Sequence, residues 1–92
     1  MLPTPPATPS LIEFPCHFPI KVMGQSDSAF LDAMVQVVRR FDSGFDPSTI
    51  ETRSSQTGKY TGLTLLVHVH DQAQLDQVYL ALTSHPMVKV TL

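Results

Sequence analysis

The feature that most narrows the folds open to this chain is the succession of its hydropathy periods. A two-residue alternation over 17–24 gives way to a 3.6-residue recurrence over 27–41. A polar strand-like stretch follows over 48–55, then a strong alternation over 60–70. Helical spacing returns after Asp71, and alternation closes the chain over 87–92. The order is therefore β-α-β-β-α-β.

Each segment carries its own boundary chemistry. In the first, Phe18, Ile20 and Val22 alternate with Pro19, Lys21 and Met23. Proline donates no backbone hydrogen bond, so regular pairing is expected to begin after Pro19. Gly24 is expected to end the strand where φ turns positive. In the first helix Phe30, Met34, Val37, Val38 and Phe41 share a face, opposite Asp32, Gln36, Arg39 and Arg40. Ser26 or Asp27 caps its start, and Ser43-Gly44 stops it.

The stretch over 48–55 has Ile50 as its one large apolar residue, which suits a sheet edge. Residues 56–59, Gln-Thr-Gly-Lys, form a hairpin turn. Beyond it Leu63, Leu65, Val67 and Val69 point one way, and Thr64, Leu66, His68 and His70 the other. Asp71 caps the second helix, with Gln74 placed as in a capping box and Leu75, Val78, Tyr79 and Leu82 as its buried stripe. Pro86 bars continuation. Val88, Val90 and Leu92 are expected inward on the last strand, and Lys89 outward.

Two βαβ halves with right-handed crossovers, joined by a hairpin, fold most simply as an α+β ferredoxin-like sandwich. The expected sheet is four-stranded and antiparallel, ordered 4-1-3-2, with both helices on one face. The other face stays open and carries Lys21, Met23, Thr64, Leu66, His68, Met87, Lys89 and Thr91. Residues 13–92 are expected to form this single domain. Residues 1–12, with four prolines and no charge, are expected to be a disordered arm. With 92 residues, a domain of this size buries about 60–65% of its unfolded surface, so a partner subunit would add useful stability.

Composition removes several functions. The net charge is −2 and the six basic residues are scattered, which leaves no footprint for nucleic acid or an anionic membrane. RNA recognition by such a sheet needs aromatics on the open face, and Lys21, Met23, Thr64, Leu66 and His68 offer no stacking platform. One cysteine, Cys16, rules out an intrachain disulfide and suits a reducing compartment. No signal peptide or membrane span is visible, so a cytoplasmic protein is expected.

The stretch from Glu13 through Phe14-Pro15-Cys16-His17-Phe18-Pro19-Ile20-Lys21-Val22-Met23 to Gly24 resembles the opening of the YbeD-like family of small bacterial proteins. Ser54-Ser55-Gln56-Thr57-Gly58-Lys59-Tyr60 resembles that family's hairpin, and Met87-Val88-Lys89-Val90-Thr91-Leu92 its terminal strand. The resemblance spans about residues 13–92 and rests on Phe14, Pro15, Lys21, Val22, Met23, Gly24, Gly58 and Tyr60. It implies a ferredoxin-like fold related to ACT domains, which bind amino acids and regulate enzymes. Family genes often lie beside a lipoate-attachment transferase gene, which points toward that pathway. The resemblance supplies no catalytic residue.

Several constellations bear on chemistry. At the junction after the first strand, Gly24, Gln25 and Ser26 could offer N–H groups and polar side chains to a ligand, or could simply turn the chain and cap the helix. Acylphosphatase chemistry in a related fold needs an arginine in this loop and a separate asparagine. No arginine lies between Gly24 and Val38, and the chain has no asparagine. His68 and His70 share a strand face, yet zinc needs three or four ligands and no second pair has ligand spacing, so no metal site is expected. Cys16 and His17 are adjacent on an extended segment and point apart, so they form no nucleophile–base dyad. Lys21 could hold a ligand carboxylate or a partner's acidic group, or could keep the face solvated.

The expected function is a non-enzymatic, ACT-like regulatory module, homodimeric and without cofactor. It would sense a small amino-acid-like or acyl ligand through Lys21, Met23, Gly24, Gln25 and Ser26. The alternative is a protein-interaction adaptor using Leu66, His68, Met87 and Lys89.

Overall fold

The computed structural model describes residues 13–91, and in it the elements follow the expected order. They are β1 (Cys16–Gln25), α1 (Ser28–Arg39), β2 (Glu51–Ser54), β3 (Tyr60–Val69), α2 (Gln72–Thr83) and β4 (Val88–Thr91). The disordered arm expected over 1–12 and the inward Leu92 lie outside the described residues. The four antiparallel strands are ordered β2-β3-β1-β4, the expected 4-1-3-2 arrangement. Alternate residues of the central strands, Ile20 and Val22 with Leu63, Leu65, Val67 and Val69, pack against Phe30, Met34 and Val38 of α1 and Leu75, Val78 and Leu82 of α2. Both helices therefore cover the same sheet face. No residue among those described is both polar and buried.

Local chemistry explains most boundaries. Asp27 alone caps α1, its carboxylate accepting from the Ala29 N–H at 2.8 Å. Helical hydrogen bonding ends at Arg39, and Phe41 follows in tightened turns onto the Val38 carbonyl. The polar stretch expected as a strand over 48–55 begins instead with a 3-10 turn, Pro47–Thr49. Asp46 accepts from both the N–H and the hydroxyl of Ser48, and the Thr49 hydroxyl donates to the Asp46 carbonyl. These local bonds compete with ladder pairing and leave only four residues for β2. At α2, Asp71 caps the Gln74 N–H, but the Gln74 side chain accepts from His70 rather than from Asp71. Its amide also donates to the Phe41 carbonyl at 3.1 Å, tying the start of α2 to the end of α1.

Three expectations are corrected. β1 and β3 pair along ten residues each, with Pro19 inside the ladder opposite Leu66. A proline fits a ladder when its missing donor faces an unpaired side. β4 reaches only Val22 to Gly24, so beside Pro19 that side of β1 is open among the described residues. Gly24 does not turn φ positive; Gly58, in the hairpin, does, at 76°. Gly24 is needed for space, because a Cβ there would strike the Met87 carbonyl oxygen and lie 2.8 Å from the Phe30 ring. The third correction concerns β4. Met23 pairs with Val90 but Gly24 pairs with Val88, so Lys89 is a bulged extra residue. Beyond that bulge the faces exchange: Val90 points outward, 47% exposed, and Thr91 faces inward opposite Val22. Met87, expected outward, packs against the core instead.

Candidate functional site

The open sheet face is a ladder of cross-strand rows. Arg53, Gly62, Met23 and Val90 form one; Glu51, Thr64 and Lys21 the next; then Leu66 with Pro19, and His68 with His17. Met23, Leu66 and Val90 are three of the large apolar side chains that remain substantially exposed. A face of this kind holds a ligand only where neighbouring rows leave a depression between them.

Such a depression lies over Gly62. Because that row has no side chain at its centre, a trough of about 470 Å³ opens between Lys21, Met23, Arg53, Glu51 and Val90. Lys21 and Arg53 have no ion-pair partner within 4 Å among the described residues. Two unpaired cations, one carboxylate and two apolar walls can take a small anion or zwitterion with an apolar body. Nothing within 3.4 Å opposes a Cβ at Gly62, so the floor is open by composition and not by steric need.

The residues expected to form a ligand site at the β1–α1 junction do not come together. Lys21 and Met23 line the trough. Gly24 is buried beneath Met87 and Phe30. The Ser26 N–H donates to the Lys59 carbonyl, and its hydroxyl lies 2.9 Å from the Thr61 hydroxyl, fastening β1 to the hairpin. Gln25 lines a separate small cleft of about 140 Å³ with Asp27, Met87 and Lys89. The expected interaction face is divided in the same way. Leu66 and His68 lie on the open face; Met87 and Lys89 lie at the sheet's end beside Gln25.

Sequence reasoning missed Glu51, Arg53, Gly62 and Val90. The hairpin turn over 56–59 carried the signal for three of them, since pairing Ser55 with Tyr60 sets Arg53 opposite Gly62 and Glu51 opposite Thr64. Val90 depended on the bulge, which has no sequence mark of its own. His17 was also missed as a neighbour of His68; their ring centres are 4.8 Å apart, and those of His68 and His70 are 4.9 Å apart. Beside them lies a second recess of about 560 Å³, which Asp42, Asp46 and Leu66 help to line. The Ser48 hydroxyl, and then its N–H, hold the Asp46 carboxyl below the usual aspartate range. On the core side, burial pushes the Tyr79 hydroxyl up, where its ring meets Phe18 edge-on.

Four antiparallel strands in this order, with two helices on one face and an open reverse, define a ferredoxin-like α+β protein. The fold is similar to the solution structure of protein HP0495 from H. pylori, with a TM-score of 0.78 over 100% of this chain and 96% of that one; at 15% identity the likeness concerns the fold alone. Residues 9–92 match the family model described as "Protein of unknown function (DUF493)". A "UPF0250 protein" of Paraburkholderia phymatum is 54% identical over 87 residues, 95% of this chain and 98% of that one. Another, of Paraburkholderia phytofirmans, is 57% identical over 83 residues, 90% of this chain and 93% of that one. The chain belongs to the DUF493/UPF0250 family of small bacterial proteins, the YbeD-like family its opening motif resembles. Among the described residues, no helix is long and apolar enough to cross a membrane.

Proposed function

We propose that this protein is a non-enzymatic, ACT-like regulatory module that senses a small carboxylate ligand on the open face of its sheet. The supporting observation is the trough over Gly62, where Lys21 and Arg53 stand on either side of a glycine floor without ion-pair partners among the described residues. A ligand carboxylate bridges the two cations, Glu51 takes an ammonium where the ligand has one, and Met23 and Val90 cover its apolar part. Amino acids fit the full set. Lipoate and octanoate use the cations and the apolar wall alone, and the family's gene neighbourhood makes them the first acyl ligands to test. A non-enzymatic role is favoured by Cys16, which packs toward the core while the neighbouring His17 ring lies on the open face.

The module works as a cytoplasmic homodimer in this reading, with the edge strand β4 as the pairing element. A second reading, a protein-interaction adaptor, draws support from the exposed Met23, Leu66 and Val90 on the same face. Thermal shift against amino acids, lipoate and octanoate tests the first reading. A ligand at a hundred times its Kd adds about 2.7 kcal/mol, a rise in Tm on the order of 10 °C or more for a domain this small. The rise should vanish in Lys21→Ala and Arg53→Ala. No shift with any of these ligands, or a shift that survives both substitutions, overturns the reading. Recovery of one stoichiometric protein whose binding is lost in Leu66→Asp then supports the adaptor. Light scattering at high concentration checks the dimer, and a mass of one chain counts against it.

A further inference from the structure

β2 is the outer strand on one side of the sheet, and the hairpin fixes which of its backbone groups face outward. The Ser55 N–H donates to the Tyr60 carbonyl at 2.9 Å, and Arg53 and Glu51 stand opposite Gly62 and Thr64. Backbone groups of an antiparallel strand alternate sides, so Ser55, Arg53 and Glu51 turn theirs to β3. Thr52 and Ser54 turn theirs away from the sheet. The side chains of Glu51 and Arg53 share the open face, two residues apart and opposite in charge. We propose that the β2 strands of two copies of this chain pair antiparallel with Thr52 on the two-fold axis, joining two four-stranded sheets into one of eight.

Charge selects this register. Pairing about Thr52 sets Glu51 opposite the partner's Arg53, and Arg53 opposite the partner's Glu51. These are the pairs of the ladder without mutual hydrogen bonds, whose side chains come closest. Pairing about Arg53 would oppose two guanidinium groups, and pairing about Glu51 two carboxylates, and like charges directly opposite one another repel. Thr52 meets the partner's Thr52 in a hydrogen-bonded pair, and Ser54 meets the partner's Ile50. The Ile50 N–H already donates to the Pro47 carbonyl, so each Ser54 pair contributes one bond and the Thr52 pair two. The contact is the same patch on both copies, as a closed two-fold pair requires.

The edge is accessible. Thr52 stands opposite Leu63 and so points to the helix side, yet Thr52 and Ser54 are exposed, and neither helix overhangs β2. β2 has no proline, lysine or bulge of the kind that guards an exposed edge, and its two charges attract a second copy. Four residues make a short contact, so association is weak and depends on protein concentration. Arg53 and Glu51 also wall the trough, so they serve either the pair or a trough ligand in turn. The contact itself does not rest on the trough's having a ligand. It is separate from pairing at β4, the opposite edge of the sheet.

The test uses the full chain carrying Thr52→Cys and Cys16→Ser, which leaves one thiol, in a glutathione redox buffer. Opposed residues of a hydrogen-bonded pair have Cα atoms about 5.5 Å apart, inside the span a disulfide bridges. A disulfide-linked dimer should form at least tenfold faster than from Thr57→Cys/Cys16→Ser, whose thiol is exposed in the hairpin turn. Adding Glu51→Arg or Arg53→Glu to the Thr52→Cys protein should slow linkage tenfold or more. Adding both exchanges the charges and should restore it. Circular dichroism confirms that each variant is folded, and Cys16→Ala replaces Cys16→Ser should the latter not be. The proposal is overturned if linkage at position 52 is no faster than at position 57, if neither single reversal slows it, or if the double reversal fails to restore it. A homodimer seen by light scattering without this linkage leaves pairing at β4 standing and overturns pairing at β2.

Discussion

The two faces of β1 and β3 are made by the same residues in alternation, yet they obey different rules. Toward the helices, Ile20, Val22, Leu63, Leu65, Val67 and Val69 are all but sealed from solvent, and even the missing side chain of Gly24 is a fitted part. Away from them, His17, Lys21 and Met23 stand in rows that no layer of the described residues covers, and the missing side chain of Gly62 is a gap. One glycine is required by packing and the other is not. The inner face specifies the fold because close-packed side chains must agree on volume. The outer face is free of that demand, so its cations, imidazoles and apolar side chains are available for binding.

The largest expected effect tests the inner face. Gly24→Val forces a branched side chain into Phe30 and the Met87 carbonyl and should destabilise by roughly 3 kcal/mol or more. Thermal melting measures it; a variant as stable as the wild type would break the contrast. Next is a gain. Thr91 Oγ1 is buried with no hydrogen-bond partner among the described residues, so Thr91→Val, which keeps the shape and removes the orphan hydroxyl, should raise stability by about 1 kcal/mol in urea unfolding. A loss there would show that the hydroxyl is satisfied in solution.

On the outer face the effects should be small. In Gly62→Val, the mirror of the Gly24 experiment, the added Cβ meets nothing closer than 3.7 Å and the position gains strand propensity, so stability should stay within about 1 kcal/mol of wild type. The same change fills the trough and should abolish the ligand-induced rise in Tm. Smallest of all, Lys21→Ala should shift unfolding by less than about 0.5 kcal/mol, since its exposed ammonium has no ion-pair partner among the described residues. If Lys21→Ala unfolds the domain, its outward placement is wrong.

The inner face was almost wholly legible beforehand. Phe30, Met34, Val38, Leu75, Val78 and Leu82 announce themselves by helical spacing, and Leu63 to Val69 by alternation, because burial imposes a period on composition. The candidate site was legible in pieces. Lys21 and Met23 could be assigned outward from their own strand. That Arg53 joins them follows only from hairpin register, and that His17 meets His68 follows only from pairing β1 with a strand on the far side of α1 and β2. Gly-Gln-Ser at the β1–α1 junction suits a ligand loop by composition, but packing gives Gly24 and Ser26 other work.

Local periodicity was enough to set the number, type and order of the elements and, through chain handedness, the arrangement of the sheet. It could not set register between strands brought together by a crossover, nor the Lys89 bulge that turns Val90 outward and Thr91 inward. Those depend on how side chains of distant segments fit once they meet, a condition that no single segment of the chain contains.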